Sequence, residues 1–477
     1  MNRASESSAR DAFLALATDC GLDEPVTDET ELLASGRLDS LALFRLALWA
    51  EEQTGQQLDP TAFEPAIEWA TVGRFLAFVD RVRRSGAPRR ARELDPRASF
   101  GGRECLITEY DPGMKRIVAA FQRGLWSQDE AVNQRYLEWK YELNPFAVDS
   151  RIYLAYCGEE LVAMRGFYGS LWESGQPPLR FPFLVADDLL IHEAFRSTGL
   201  FNYLMQYALD DLARKGHVQI LNLGANQLNV AGSLSTGWRI ACSLRPLSRV
   251  SLTRKLHKRV RRSVARLPLF WRWSDSRRLY AAAEREPFGC LDGYPRLRPS
   301  TQGLHVMTAR DAPIDDIVRL VAALPYDGRI RHVRTAEYLR WRFANPLADS
   351  RFVTARDRDG QLCGYAALRA NPAWGQVTVT IADLEATNDE VIDALLEHFL
   401  GHGRLAEVLV WGESLSRASE ATFRRHGFSD VARHATGSAG DKILVRFASG
   451  DAESTLLGQR LTDPFAWDMR MLYSMRG

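Results

Sequence analysis

D-D-L-L-I-H-E-A-F-R-S-T-G-L-F, from Asp187 to Phe201, is the stretch around which the chain can be read. Leu189-Leu190-Ile191 is an apolar strand, Arg196-Ser197-Thr198-Gly199 is a turn, and Leu200 to Leu212 is a helical run. A strand that turns through small residues into a helix presents free backbone N–H groups and the positive end of the helix dipole. Such a junction binds anions, phosphate above all.

Outward from that stretch, the bounds are broad. With 477 residues, two to four domains are expected. A hydrophobic share of 46% and a charged share of 25% are those of a soluble globular chain. A net charge of +1 gives no overall field toward nucleic acid, which is not expected as a partner. The six cysteines stand singly, with no C-x-x-C, which fits a reduced, cytoplasmic setting and no metal site. Met1 to Arg10 lacks the apolar core of a signal peptide, and no run approaches the ~18 apolar residues of a transmembrane segment.

Residues 1–82 read as a small four-helix bundle. Ala12 to Ala17 and Leu43 to Ala50 carry apolar stripes, a short segment holds Phe63 and Trp69, and Thr71 caps a last helix through Val79. Gly36-Arg37-Leu38-Asp39-Ser40-Leu41 stands at the start of the second main helix, where Asp39 suits the N-cap. This pattern resembles an acyl or peptidyl carrier protein, whose G-x-D-S-L signature is matched with one extra residue between Gly36 and Asp39. The resemblance implies a covalent 4′-phosphopantetheine arm on Ser40, with Asp39 and Leu41 as motif, installed by a phosphopantetheinyl transferase and charged by an acyl-loading enzyme. The plainer alternative is that Asp39-Ser40 is only a capping pair.

Residues 83–103, rich in Arg, Ala, Pro and Gly, read as a flexible tether. Beyond it the chain repeats. Tyr136-Leu137-Glu138-Trp139-Lys140-Tyr141, Asn144-Pro145 and Asp149-Ser150-Arg151 recur as Tyr338-Leu339-Arg340-Trp341-Arg342-Phe343, Asn345-Pro346 and Asp349-Ser350-Arg351. Each set leads into a hairpin, a long strand and a helix, so two duplicated α/β units are expected, 104–253 and 301–477. Trp467 to Met475 is expected to return as a closing strand. The intervening 254–300, with Arg254 to Arg262 and then Leu267 to Trp273, reads as a basic helical bridge; contact with an anionic membrane surface or with nucleic acid is the alternative.

The order within 104–253, and Arg196 and Gly199 in the opening stretch, resemble the GNAT N-acyltransferase family. Glu193 replaces that family's common proline and Phe201 its final small residue. The fold expected is therefore multidomain: a four-helix carrier bundle followed by two GNAT-like α/β (α+β) mixed-sheet domains. The resemblance implies a donor site for a phosphopantetheine thioester at Leu190, Ile191, Arg196, Ser197, Thr198, Gly199, Leu200 and Phe201. It implies direct attack by an amine, with a base upstream on the strand. Asp188 is the favoured base over Asp187, because consecutive strand residues face opposite sides and at most one reaches the cleft. Asn222, Asn226 and Ser233 are candidate orienting groups; each could equally be a satisfied buried polar residue. The second copy, with Glu385, Asp389 and Glu390 at its helix start and no Arg-x-x-Gly turn, is expected to have lost donor binding.

The function expected is N-acyl transfer from the chain's own Ser40 arm to an amine in a biosynthetic pathway. In a second version, acyl-CoA acylates an aminoacyl group carried on Ser40, so the amine acceptor is a small molecule or carrier-bound. A reading of another class is a non-catalytic protein that presents the carrier to other enzymes.

Overall fold

The structure is a computed structural model. It describes residues 94–196, 198–217, 219–225, 238–251, 303–370, 378–402, 407–431, 442–447, 455–456 and 459–474, together with 68–85, 26–32 and scattered positions elsewhere. In the first 85 residues, α1 (Val72–Ser85) is preceded by positions packed around one apolar core. Phe13, Leu46, Trp49, Trp69, Phe75 and Phe78 fill it, with Phe13, Trp49 and Phe75 in mutual ring contact. The expected count of four helices falls partly outside the described residues, as do Asp39, Ser40 and Leu41.

Two mixed sheets make up the rest. The first runs β1-β2-β3-β4-β5-β6-β17-β7. Its strands are β1 (Arg97–Phe100), β2 (Arg103–Glu109), β3 (Arg151–Cys157), β4 (Glu160–Ser174), β5 (Leu179–Ile191), β6 (Gln219–Ala225), β7 (Arg239–Ser243) and β17 (Lys442–Phe447). The second runs β16-β8-β15-β14-β13-β12-β10-β9. It is built from β8 (Pro246–Val250), β9 (Arg298–Pro299), β10 (His305–Ala309), β12 (Asp349–Arg356), β13 (Leu362–Ala370), β14 (Thr378–Ala386), β15 (Glu407–Trp411) and β16 (Ser429–Asp430). A short β11 (Arg331–His332) joins the end of β4 through Glu173 and Trp172. β1 and the end of α1 both fall within the stretch 83–103 read as a tether, and β1 pairs with β2.

The helices follow the repeat. α2 (Lys115–Phe121) and α3 (Glu130–Leu137) precede β3, and α4 (Leu200–Arg214) crosses from β5 to the parallel β6. In the second unit, α5 (Ile314–Ala323) and α6 (Ala336–Phe343) precede β12, and α7 (Asp389–His402) crosses from β14 to the parallel β15. α8 (Arg417–Arg425) precedes β16. Each crossover helix buries its apolar stripe on its own sheet: Leu204, Ala208 and Leu212 in one, Leu395, Leu396 and Phe399 in the other.

The units are not separate beads. β8, from the first of the two repeat units, lies in the second sheet between β15 and β16. β17, from the second half, lies in the first sheet between β6 and β7. Each half thus lends one strand to the other. A third apolar core holds Tyr136, Trp139, Tyr168 and Trp172 from the first half with Tyr338, Trp341, Trp467 and Tyr473 from the second. The C-terminal stretch closes that junction rather than a sheet. Trp467 bridges Ile330, Met471–Tyr473 form a 3-10 turn, and Arg342 donates to the Leu472 and Ser474 carbonyls. The closing strand expected at Trp467 to Met475 is instead β17, some twenty residues earlier.

The cysteines do not all stand singly. Cys105 and Cys157, on the neighbouring antiparallel strands β2 and β3, form a disulfide across 52 residues. Strand pairing sets them opposite each other, which spacing along the chain does not display. Among the described residues no helix is long and apolar enough to cross a membrane.

Candidate active site

The opening stretch folds as strand, turn and helix. β5 ends at Ile191, Glu193–Phe195 form a 3-10 turn, and Gly199 caps α4 in the left-handed region at φ 87°. A side chain at φ near +90° is strained, so glycine suits that position. The Thr198 hydroxyl donates to the Phe195 carbonyl at 2.8 Å, which closes the turn. Arg196 stands exposed beside it, Leu200 at the start of α4 is buried in the core under that helix, and Phe201 packs at the edge of the same core. Ser197 lies outside the described residues.

β5 and β6 are parallel partners only briefly. They pair at Leu184–Ile220 and Val185–Leu221, and the pairing goes no further. β6 continues instead along β17, where Leu444 opposes Asn222 and Lys442 opposes Ala225. A slot therefore opens between the end of β5 and β6, and α4 begins at its mouth. An unpaired strand edge facing such a slot can accept an extended chain by strand-type hydrogen bonds.

The two acids at the start of the stretch do not alternate. Asp188 has φ 52°, the one non-glycine positive φ among the described residues. The register with β4 slips between Met164 and Gly166, a bulge in which Asp188 and Leu189 oppose Arg165. As a result Asp187 and Asp188 reach the same ammonium: Lys140 Nζ donates to Asp187 Oδ2 at 2.8 Å and to Asp188 Oδ1 at 3.0 Å. The expectation that only one of the pair could face a given side fails because the bulge breaks the period of two. Trp126 Nε1 donates to Asp188 Oδ1 at 3.0 Å, and the Tyr141 hydroxyl donates to Oδ2 at 2.6 Å.

Lys140 and Tyr141 come from the turn after α3, where Glu138–Glu142 widen into a π-helical turn. The Lys140 side chain is fully buried. Its ammonium lies 5.3–5.5 Å from the ring centres of Trp126, Tyr136, Tyr141 and Tyr168, an aromatic cage filled by the protein's own cation. Burial alone would lower its pKa, but Asp187 and Asp188 outweigh that and hold it above the ordinary lysine value. Burial lifts the Asp188 carboxyl above the usual range, against the pull of Lys140. The Tyr141 hydroxyl is raised well above its ordinary value, by burial first and Asp188 next.

The other sequence candidates lie apart from this cluster. Leu190 packs in the junction core, against Gly124, and Ile191 at the edge of the α4 core. Asn222 is buried on β6, and its Oδ1 accepts from the Gly224 N–H at 3.2 Å. Ser233 is buried, its carbonyl accepting from the Trp238 N–H, and Asn226 lies outside the described residues. Lys140, Tyr141 and Trp126 were not among the candidates. The one signal for Lys140 was the repeat itself, which places a cation after each tryptophan, Lys140 and Arg342.

The same place in the second unit is arranged differently. β14 and β15 pair through Thr380–Leu409 and then part. Asp383 accepts from Tyr365 Oη and from Arg470 at 2.8 Å; Glu385 accepts from Arg334 at 2.6 Å and from Arg470 at 2.9 Å. The cavity there, about 220 Å³, is lined by Glu385, Asp468, Arg470 and Arg331. Their charges already engage one another or Glu173. α7 starts with Asp389 and Glu390, whose charges oppose a phosphate. Among the described residues no cluster of His, Cys, Asp or Glu could hold a metal ion.

Residues 14–79 match the family model of the phosphopantetheine attachment site. The segment is a carrier of that kind, and the family implies a covalently bound phosphopantetheine. No curated protein matches the chain. Solved structures that match include a conserved protein of unknown function from Enterococcus faecalis V583, described as a probable N-acyltransferase. It is 9% identical over 72% of this chain and 73% of that one, with a TM-score of 0.48. A tandem GNAT protein from the clavulanic acid biosynthesis pathway is 13% identical over 72% of this chain and 98% of that one, with a TM-score of 0.43. A GCN5-related N-acetyltransferase from Kribbella flavida is 13% identical over 72% and 71%, with a TM-score of 0.43.

Proposed function

We propose that the chain is an N-acyltransferase whose first α/β unit takes a phosphopantetheine thioester into the slot between β5 and β6. The observation that supports this most is the parting of those strands after Val185 and Leu221, with the α4 N-terminus at the mouth. An extended pantetheine chain has amides that suit the strand edge, and its phosphate suits the helix start. The domain limits proposed are the carrier at 1–82, a tether at 83–103 whose last residues fold as β1, the donor-binding unit at 104–253, a bridge at 254–300 and a non-donor unit at 301–477, with β8 and β17 exchanged between the two units.

In this reading the arm is borne on Ser40. The amine nitrogen attacks the thioester carbonyl; the C–N bond forms, the C–S bond breaks, one amine proton leaves and the thiolate takes up a proton. The fused carrier supplies the thioester at roughly millimolar effective concentration through its tether. A phosphopantetheinyl transferase and an acyl-loading enzyme are the partners this requires, in a cytoplasmic biosynthetic setting.

A second reading is favoured by one observation, the exposed Arg196 beside the slot mouth. A guanidinium there suits the pyrophosphate of coenzyme A better than the single phosphodiester of an arm. Acyl-CoA would then be the donor, and Ser40 would carry the amine acceptor.

Intact-mass spectrometry after incubation with a phosphopantetheinyl transferase and CoA tests the carrier. A gain of ~340 Da on the wild type and none on Ser40→Ala is expected, the arm being a covalent modification. An equal gain on both proteins rejects Ser40. Loading the arm with a radiolabelled acyl group and offering a panel of amines then tests transfer. Label that stays on the protein with every amine rejects transfer from the arm; if an aminoacyl group loaded on Ser40 also gains no acyl mass from acyl-CoA, only the carrier-presenting role is left.

A further inference from the structure

We infer that Asp188 is a positioning residue for the donor: held left-handed by Trp126, Lys140 and Tyr141, it sets the phase of Leu189–Ile191, the strand end bordering the slot. The inference rests on the slot being the donor site, and it deepens that reading by assigning Asp188 a role other than proton transfer.

The phase of β5 is visible in its packing. Phe183 and Val185 face the junction core, while Leu184 and Ala186 face the α4 core. An unbroken period of two would send Leu190 to the α4 side. It packs in the junction core instead, and Ile191 takes the α4 side. The bulge at Asp188 is where the phase changes. Because backbone groups alternate along a strand with its side chains, the same change decides which N–H and C=O groups of residues 189–191 point into the slot.

A left-handed aspartate in a strand is a strained state that persists only when its surroundings enforce it. Here the enforcement is specific. Three donors from one side converge on a fully buried carboxylate. Two of them stand on consecutive residues of a π-helical turn, itself an irregularity frequent at functional sites. Two local distortions thus meet in one hydrogen-bonded cluster at the edge of the slot. The second unit shares the bulge but not the other two features: β14 bulges opposite Ala367 and Leu368, with Val379 and Ile381 before the bulge and Leu384 after it in one core, while α6 is regular through Phe343 and no left-handed residue stands there among the described positions. What marks the first unit is therefore the left-handed Asp188 with its three donors, not the bulge alone.

With its side chain buried and held by three donors, Asp188 is not placed to exchange protons with a bound amine. Its carboxylate acts through the backbone.

The test uses the full chain and two variants. Asp188→Asn keeps the left-handed preference and the shape; Asp188→Ala keeps neither. Amide hydrogen exchange reads the strand end without any ligand. Expected is at least a tenfold loss of protection over residues 186–192 in Asp188→Ala, a smaller loss in Asp188→Asn, and unchanged β3. Wild-type protection over 186–192 in Asp188→Ala overturns the inference. Calorimetric titration with CoA reads the slot: affinity should fall at least tenfold in Asp188→Ala and stay near wild type in Val353→Ala, a core control in the second sheet with comparable loss of melting temperature. Equal loss in both variants marks a general stability effect and overturns the inference. If wild-type protein binds no CoA, the proposal of a CoA donor falls, while the exchange experiment still decides the role of Asp188.

Discussion

Trp139 and Trp341, the same residue of the two repeats, stack with ring centres 4.7 Å apart and planes 13° from parallel. Each indole N–H donates to the other's backbone carbonyl, at 2.7 and 2.6 Å. The contact is reciprocal, as across the two-fold axis of a homodimer. Each tryptophan buries a large apolar body and a polar tip at once, so the pair holds the halves together through packing and two hydrogen bonds. Trp139→Ala should cost about 3–5 kcal/mol. The double variant Trp139→Ala/Trp341→Ala should cost less than the sum of the singles, with a coupling of about 0.5–3 kcal/mol. Urea titrations of the four proteins measure this, and strict additivity would count against the pair acting as a unit.

The exchanged strands make a second prediction. β6 has β17 as its partner along Gln219 to Ala225. Without β17, β6 would keep only the two-residue pairing to β5. A chain ending at residue 431 therefore leaves β6, one wall of the slot, without its partner on the far edge, although every residue of the first unit is present. It should expose β6 and β7 and bind the hydrophobic dye ANS far more than the full chain does. Coexpression of the two halves as separate chains, divided within 254–300, should restore a soluble heterodimer, since each supplies the strand the other lacks. Recovery of a folded, monomeric first half alone, by size exclusion and circular dichroism, would contradict the exchange.

What the sequence disclosed followed from local patterns. The strand–turn–helix at Leu189–Leu212 was legible because its signals, apolar run, small-residue turn and apolar stripe, lie within one stretch. The repeat was legible because Trp139/Trp341 and Asn144/Asn345 recur in order. In the structure Asn144 and Asn345 both accept from the N–H two residues on, at 2.9 and 3.0 Å. The strand exchange was hidden, because β8 and β17 read as ordinary strands whichever sheet they join. The Asp188 cluster was hidden for a different reason. Periodicity assigns faces by a count of two, and a bulge is one residue that breaks the count. Lys140 belongs to a helical turn 47 residues upstream of Asp187, so its partners could not be read from spacing.

His332 gives a pH dependence. It lies fully buried in the junction, stacked on Tyr338 at 3.9 Å, with Arg334 and Arg342 as charged neighbours. Burial first, then those guanidinium groups, push its pKa down to about 3, although its own contact with the Val333 carbonyl acts the other way. The folded imidazole stays neutral where the unfolded one, near 6.5, takes a proton. The unfolded state thus binds more protons as pH falls below about 6.5, and stability drops by up to about 1.4 kcal/mol per pH unit until the folded pKa is reached. Against the same background of carboxylates, His332→Phe should show a shallower loss of melting temperature between pH 6.5 and pH 4. Parallel pH profiles for the two proteins would exclude a neutral buried imidazole.

Gly166 reaches the Asp188 cluster from the neighbouring strand. Gly166 pairs with Asp187 across β4 and β5. A Cβ built there would lie 1.9 Å from the Tyr141 hydroxyl and 2.8 Å from its ring carbon Cζ. Neither distance is tolerable, so in Gly166→Ala the tyrosine must move and surrender its bond to Asp188. Overpacking of this kind costs about 1–3 kcal/mol, and the lost bond to a buried charged group about 1.5–3 kcal/mol more. Tyr141→Phe loses the bond but leaves the glycine site open, so it should be the milder of the two. Gly166→Ala placed on Tyr141→Leu should cost less than on the wild type, because the obstructing hydroxyl and ring are gone. Equilibrium unfolding of the four proteins measures the difference. If Gly166→Ala costs the same on both backgrounds, the close approach of Tyr141 to β4 is not what demands glycine there.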